Sequence, residues 1–212
     1  MPPDPPLIVR RLGLVPYLES WERMRTFTGD RGPAQPDEVW LLEHPPVYTV
    51  GRNGKGLPER RDIPLVRSDR GGDITYHGPG QLVMYVLLDL RRRRISVKGL
   101  VTLLEDIVIE WLGTLGIAGQ QRLGAPGVYV GTRKIASLGL RIHRGCSYHG
   151  LSLNVAMDLC PFSSITPCGL RGVTVTQVQD LASGITVASA GSALANAFER
   201  ALSQNRSRQM IS

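Results

Sequence analysis

Ten residues, Gln81–Leu90, read QLVMYVLLDL and are apolar almost without a break. A strand with one wet face alternates apolar and polar residues, so an unbroken apolar run marks a strand covered on both faces. Before it stand Gly78-Pro79-Gly80 and the β-branched, aromatic stretch ITYH, so a glycine-rich link joins two strands. This pair sets the architecture. A strand buried on both sides needs a layer of helix or sheet on each. The 212 residues suffice for one such domain, expected over residues 1–212 with frayed ends at 1–6 and 205–212.

The neighbouring segments supply candidate layers. LIVRRLG (Leu7–Gly13) reads as a first strand. Tyr17, Trp21, Met24 and Phe27 recur at helical spacing, which predicts a helix over Pro16–Thr28 with that aromatic stripe in the core. VWLLEH (Val39–His44) is a short buried strand stopped by Pro45-Pro46, and VYTVGRNGKG runs into a second glycine-rich loop. Apolar residues at 100, 103, 104, 107, 108, 111, 112 and 115 predict an amphipathic helix over Val97–Leu115. GVYVGTRKIASLGLRI predicts a hairpin turning at Gly131-Thr132, followed by a strand SYHGLSLNV. A short helix is expected over Val175–Leu181. A longer one is expected over Ser189–Gln204, with Leu194, Phe198 and Leu202 on one face. Strands outnumber helices and adjacent ones form hairpins. The expected class is therefore α+β, a mixed β-sheet flanked by helices rather than a doubly wound parallel sheet.

Charge and cysteine usage narrow the function. No stretch approaches the roughly 18 to 20 apolar residues that span a bilayer. The N-terminus MPPDPPLIVRR lacks the basic region and apolar core of a secretory signal. Three cysteines, Cys146, Cys160 and Cys168, with no C-x-x-C, fit a reducing compartment, so a cytoplasmic protein is expected. The net charge of +7 favours an acidic partner. The densest basic run, Arg91–Arg94, reads first as a solvated turn and second as a docking patch for an acidic protein. No helix-turn-helix, zinc-finger or RNP-type signature accompanies it, so nucleic acid is not expected.

The chemistry concentrates in a few places. RGGDITYHGPGQ (Arg70–Gln81) is too rich in glycine for an ordinary strand, yet it matches neither G-x-x-x-x-G-K-[ST] nor a G-x-G-x-x-G that opens a helix. Gly80 is followed by a strand, so no helix N-terminus is available to hold a phosphate. His143, Cys146 and His149 stand three apart. Strand alternation puts Cys146 opposite both histidines, and a structural zinc wants four ligands, so no metal is expected. Cys146 and Cys160 read as small core residues. Cys168, between Pro167 and Gly169, reads as a candidate nucleophile on a loop. A thiol of ordinary pKa, about 8.5, is only a few per cent thiolate at pH 7, so it needs a cation nearby. His77, His149 and Lys134 are the candidate helpers. Lysine is scarce, only Lys55, Lys98 and Lys134 among the 25 basic residues. Lys134 lies in an apolar, strand-like setting. Facing inward it would be costly unless paired with a thiolate or carboxylate, and suited to general-base work; facing outward it would be merely solvated.

Taken together these residues resemble the octanoyltransferase family of lipoate biosynthesis, also called lipoyl(octanoyl) transferases or lipoate-protein ligase B. The family pattern R-G-G-x-x-T-[aromatic]-H-x-x-G-Q-x-x-x-Y is met by Arg70–Gln81 and Tyr85. R-K-I-A-[SA]-[LI]-G is met by Arg133–Gly139, H-G-[LF]-[AS]-[LF]-N by His149–Asn154, and P-C-G-[LI] by Pro167–Leu170. H-P-P-V-[YF]-T-x-G is met by His44–Gly51. The resemblance implies a biotin/lipoate protein ligase catalytic-domain fold. It implies an enzyme that moves an octanoyl or lipoyl group from octanoyl-acyl carrier protein to a lysine of lipoyl domains, with no cofactor and no metal. The acceptors would be those of 2-oxoacid dehydrogenase E2 subunits and the glycine cleavage H protein. It implies Cys168 as the acyl-thioester nucleophile and Lys134 as the residue that lowers its pKa and relays protons. The acyl site would be lined by Arg70, Gly71, Gly72, Asp73, Ile74, Thr75, Tyr76 and His77, by Ser137, Leu138 and Gly139, and by Gly150, Leu151 and Ser152. His149, Asn154 and Gln81 would support it. Arg91–Arg94, Arg52 and Lys55 become candidate docking residues for acidic carriers. An ATP-dependent ligase on the same fold is the rival reading.

Overall fold

The computed structural model describes residues 6–54, 56–60, 62–165 and 174–211, with side chains of the last helix described to residue 204. The apolar run forms β6 (Gln81–Leu87), and all seven of its residues are buried. It sits third in a seven-stranded sheet. The other strands are β1 (Leu7–Leu14), β2 (Asp37–Glu43), β10 (Cys146–Asn154), β9 (Arg133–His143), β8 (Gly127–Val130) and β7 (Gly119–Gln120), and the order is β1-β2-β6-β10-β9-β8-β7. Among the described strands of this sheet, only β1 and β2 pair in parallel. The remaining pairs are antiparallel, giving the mixed sheet expected.

Alternation along β6 explains the two covers. Leu82, Met84 and Val86 point into the large core with Leu100, Leu104, Ile107, Val108 and Leu112 of helix α2 (Val97–Thr114), and with Leu194, Phe198 and Leu202 of helix α3 (Val187–Ile211). Val83, Tyr85 and Leu87 point the other way. They pack with Trp40, Leu42, Tyr148 and Met24, the last from helix α1 (Tyr17–Gly29). A one-residue slip of β6 would exchange these two sets, so the register is pinned from both sides. Ser96 caps α2 by accepting the Gly99 N–H at 3.0 Å.

A second, three-stranded sheet lies apart, in the order β4 (Leu65–Arg67), β3 (Val47–Val50), β5 (Ile74–His77). It has its own small core of Tyr48, Ile63, Tyr76, Met157 and Phe162. Pro45-Pro46 separates β2 from β3, and the glycine-rich link 78–80 separates β5 from β6, so two chain crossings tie the sheets together. Among the described residues no helix is long and apolar enough to cross a membrane.

Several expectations are corrected. The helix over Val175–Leu181 is a single 3-10 turn, Val178–Asp180, because Val175 instead bridges to Lys134. α3 extends past Gln204, to Ile211. Cys146 is buried, but Cys160 is exposed at the start of a 3-10 turn rather than in the core. The arginine run is not simply solvated. Asp37 is fully buried and accepts from Arg31, from Arg92 Nη2 at 2.7 Å and from Arg93 Nε at 2.5 Å. Arg92 and Arg93 therefore clamp the start of β2, and only Arg91 and Arg94 of the run are exposed. Arg52 is exposed, while Lys55 lies outside the described residues.

Candidate active site

Lys134 reaches the site through a break in strand alternation. Tyr129 of β8 pairs with Lys134, but Val128 pairs with Ala136, so Ile135 is an extra, bulged residue. Ile135 and Ala136 both enter the large core. The bulge thereby re-aims Lys134 onto the opposite face, with Ser137 and Gly139. Lys134 is buried at 3% exposure, so the inward reading is the correct one. Its Nζ lies 5.4 Å from the centre of the Tyr129 ring. Gly127 makes room: a Cβ there would stand 2.4 Å from Lys134 Cε. Glu105 accepts the Gly127 N–H at 2.7 Å, and burial raises its pKa against the pull of Lys134.

The glycine-rich loop is pinned by its own arginine. Arg70 donates to Thr49 Oγ1, to the carbonyls of Gly71 and Asp73, and from Nη2 to the Thr49 carbonyl at 2.6 Å. The guanidinium holds loop to strand β3. The Gly71 N–H donates to the Leu140 carbonyl at 2.9 Å, docking the loop on β9. Close approach is what the glycines provide: a Cβ on Gly139 would stand 2.9 Å from the Gly71 carbonyl oxygen. Gly80 serves the turn instead. Its φ is +85°, and a Cβ would lie 1.9 Å from the Ala156 oxygen.

Three of the four histidines cluster behind this loop. Tyr17 of α1 stacks on His77 at 5.9 Å and on His149 at 6.5 Å, while His44 meets Tyr17 and His77 edge-on. His149 has a positive φ of +60°. Alternation from Leu151 and Leu153 would send it to the helix-covered face, but its ring stacks with Tyr148, next along the chain, at 5.0 Å and meets Tyr85 edge-on. Such a conformation is uncommon outside glycine. It also undoes the alternation expected between His149 and Cys146. His143 is exposed across the Arg144-Gly145 turn, and no group of three His, Cys, Asp or Glu residues that could hold a metal occurs among the described residues.

Burial keeps these rings neutral. It lowers His44 to about 4, His77 well below its ordinary value, and His149 in the same direction. Asp69 is the counterweight. Burial alone would raise its pKa, but hydrogen bonds from His149, Tyr148 and Trp21 hold it down at about 2. An ionised Asp69 only accepts, so His149 Nε2–H donates to it at 3.0 Å. The His149 Nδ1 lone pair is buried with no partner. Burial lifts the Tyr17 hydroxyl to about 12, and it donates to Ser68 at 2.7 Å.

One cavity collects most of the residues singled out. Its wall includes Lys134, Arg70, Gly72, Asp73, Ile74, Thr75, His77, Ser137, Leu138, Gly139, His149, Gly150, Leu151 and Ser152. Gly71 and Tyr76 are not in the wall: Gly71 sits against β9, and Tyr76 packs in the small core. Gln81 and Asn154 lie behind the wall, in hydrogen-bond contact with each other. Cys168 lies outside the described residues. Tyr17, Val83 and Tyr85 line the cavity too. Tyr17 belonged to the aromatic stripe read as core. Nothing local distinguishes it from Trp21 or Phe27 before the histidines are in place.

Residues 16–199 match the model of the lipoyl protein ligase A/B catalytic domain. The chain belongs to this family. It is 54% identical to an octanoyltransferase of Aromatoleum aromaticum across 93% of this chain and 87% of that one. It is 53% identical to an octanoyltransferase of Dechloromonas aromatica across 94% and 98%. Among solved structures, lipoate-protein ligase A bound with ATP superposes with a TM-score of 0.70 at 16% identity, over 94% of this chain and 85% of that one. The biotin protein ligase of Aquifex aeolicus gives 0.52 at 11% identity, over 97% and 70%. The fold is thus the lipoate and biotin protein ligase catalytic fold.

Proposed function

We propose that this chain is an octanoyl-acyl carrier protein:protein N-octanoyltransferase that works in the cytoplasm. It moves an octanoyl or lipoyl group from an acyl carrier protein to a lysine of lipoyl domains, those of 2-oxoacid dehydrogenase E2 subunits and the glycine cleavage H protein. The observation that carries this reading is the Lys134 side chain, bulged out of strand alternation into the wall of a cavity built from glycine-rich loops. The more than 50% identity to octanoyltransferases argues for thioester chemistry at that cavity.

The reaction divides into two acyl transfers. The Cys168 thiolate attacks the thioester carbonyl; the new C–S bond forms, the bond to the carrier sulfur breaks, and the carrier thiolate leaves with the proton of the Lys134 ammonium, so Lys134 is a neutral amine for the second transfer. The acceptor lysine, as free amine, then attacks the Cys168 thioester. The amide forms, the C–S bond to Cys168 breaks, and the proton shed by the amine nitrogen passes to Lys134 or to the departing thiolate. Lys134 stabilises the Cys168 thiolate by charge, which matters because an ordinary thiol is only a few per cent ionised at pH 7. Backbone N–H groups near the glycine loops are suited to the tetrahedral oxyanion. The acyl chain lies along Ile74, Leu138 and Leu151, and the neutral state of His77 and His149 spares the chain a buried charge.

The test is a transfer assay with purified protein, octanoyl-acyl carrier protein and a lipoyl domain. The acceptor gains one octanoyl group without ATP. If modification appears only with free octanoate and ATP, the ligase reading replaces this one.

A further inference from the structure

Lys134 is held from behind by the segment that leads out of Cys168. The Lys134 N–H donates to the Thr174 carbonyl at 2.9 Å, and the Thr176 N–H donates to the Lys134 carbonyl at 3.0 Å. Thr176 in turn offers its carbonyl to Asn154 Nδ2, at 3.0 Å. Residues 174–176 thus lie between β9 and the end of β10. Five residues separate Thr174 from Cys168, a reach of at most about 20 Å. Residues 174–176 thus tie the Lys134 backbone to the part of the chain that follows Cys168 in the sequence.

Asn154 also faces the acyl-holding loop. Its Oδ1 accepts from Gln81 Nε2 at 3.0 Å, and Gln81 Nε2 donates to the Tyr76 carbonyl as well. Because the carbonyls of Thr176 and Tyr76 can only accept, neither carboxamide can be turned round. Gln81 Oε1 then accepts from His77 Nδ1–H at 2.6 Å, which leaves His77 Nε2 to accept from the Thr49 hydroxyl at 3.3 Å. Thr49 Oγ1 accepts from Arg70. Every donation runs one way: Arg70, Thr49, His77, Gln81, Asn154, Thr176, Lys134. All seven residues are buried, so no link is readily replaced by bulk water, and aligned bonds polarise one another.

We propose that Gln81 and Asn154 are positioning residues that couple the Arg70–His77 loop to the Lys134–Cys168 pair. The proposal rests on the transferase reading for what the pair does, but the coupling itself is a property of the chain of bonds. His77 and Lys134 both line the cavity. An acyl chain that braces His77 thus also braces residues 174–176, which hold the Lys134 backbone.

The test uses Asn154→Ala and Gln81→Met in the full chain, with cooperative thermal unfolding as the check on folding. Single-turnover acylation of Cys168 by octanoyl-acyl carrier protein falls about 30- to 100-fold, while KM for the donor stays within about threefold. Alkylation of Cys168 by iodoacetamide, read against pH without any acyl donor, shifts its midpoint upward by about one unit, a tenfold loss of thiolate. Wild-type acylation and alkylation profiles in a folded variant would overturn the proposal, as would a raised KM with an unchanged acylation rate. Gln81→Met breaks the chain without touching Thr176, so if one variant unfolds the other decides. If the wild type forms no thioester, the transferase reading fails, and the alkylation profile still judges the coupling.

Discussion

Replacing Asp37 with asparagine separates two readings of the arginine run. The Asp37 carboxylate has 0% exposure and accepts from Arg31, Arg92 and Arg93, whose side chains are 3%, 14% and 13% exposed. The Asp89 N–H donates to it as well, at 2.8 Å. Asp37→Asn removes the carboxylate that these three guanidiniums share and puts a neutral amide in its place. Breaking a buried pair from one side costs about 3 to 5 kcal/mol, and three partners put this site toward the upper end. At about 2 to 4 °C per kcal/mol for a chain of this size, melting falls by roughly 10 to 20 °C. The assay is thermal and urea unfolding, with Arg93→Met added on the Asp37→Asn background to restore part of the loss. Below the transition the donor KM is unchanged. A variant within about 1 kcal/mol of wild type would refute the clamp. So would an Arg92→Ala protein that keeps full stability while its donor KM rises tenfold, because that is the behaviour of a docking patch.

Three further outcomes follow from the same geometry. A Cβ at Gly150 would stand 2.0 Å from the Met84 carbonyl oxygen, so Gly150→Ala forces β6 and β10 apart and costs about 3 kcal/mol in urea unfolding; Gly113→Ala, with nothing within 4 Å, instead gains up to about 1 kcal/mol as a helix substitution. Stability falls as pH drops from 6.5 towards 4, because the unfolded chain takes up a proton at His44 that the folded one, with its pKa near 4, refuses; that residue alone contributes about 3 kcal/mol to the slope, and His44→Gln flattens it in pH-dependent melting. In a Cys168→Ser background a disulfide reagent modifies Cys160, slowed by the Asp158 carboxylate that raises its thiol, while Cys146 reacts only on unfolding.

The layers of this protein were legible because their signals are local and periodic. The apolar run of β6, the spacing in α2 and the Gly131 turn each announce themselves within a dozen residues. Most of the cavity wall was legible through motifs, since glycine where backbones touch and a lone strand lysine are unusual choices. What escaped is set by distant partners. The bulge at Ile135 follows from how β8 meets β9, and the positive φ of His149 from the rings it joins. Arg92 and Arg93 look like surface until Asp37, more than fifty residues earlier, is folded beneath them. β4 and β7 were missed because two or three residues carry no period of their own. Cys160 was misplaced because a preference for burial says nothing about a turn whose neighbours face water.

The most direct test of the account is the intact mass of the protein after incubation with octanoyl-acyl carrier protein without ATP, for wild type, Cys168→Ser and Lys134→Met. The wild type gains one octanoyl unit, released by neutral hydroxylamine. Cys168→Ser gains none, and on Lys134→Met the adduct forms at least about a hundredfold more slowly. An adduct that persists in Cys168→Ser, or a Lys134→Met protein acylated at the wild-type rate, would contradict the account.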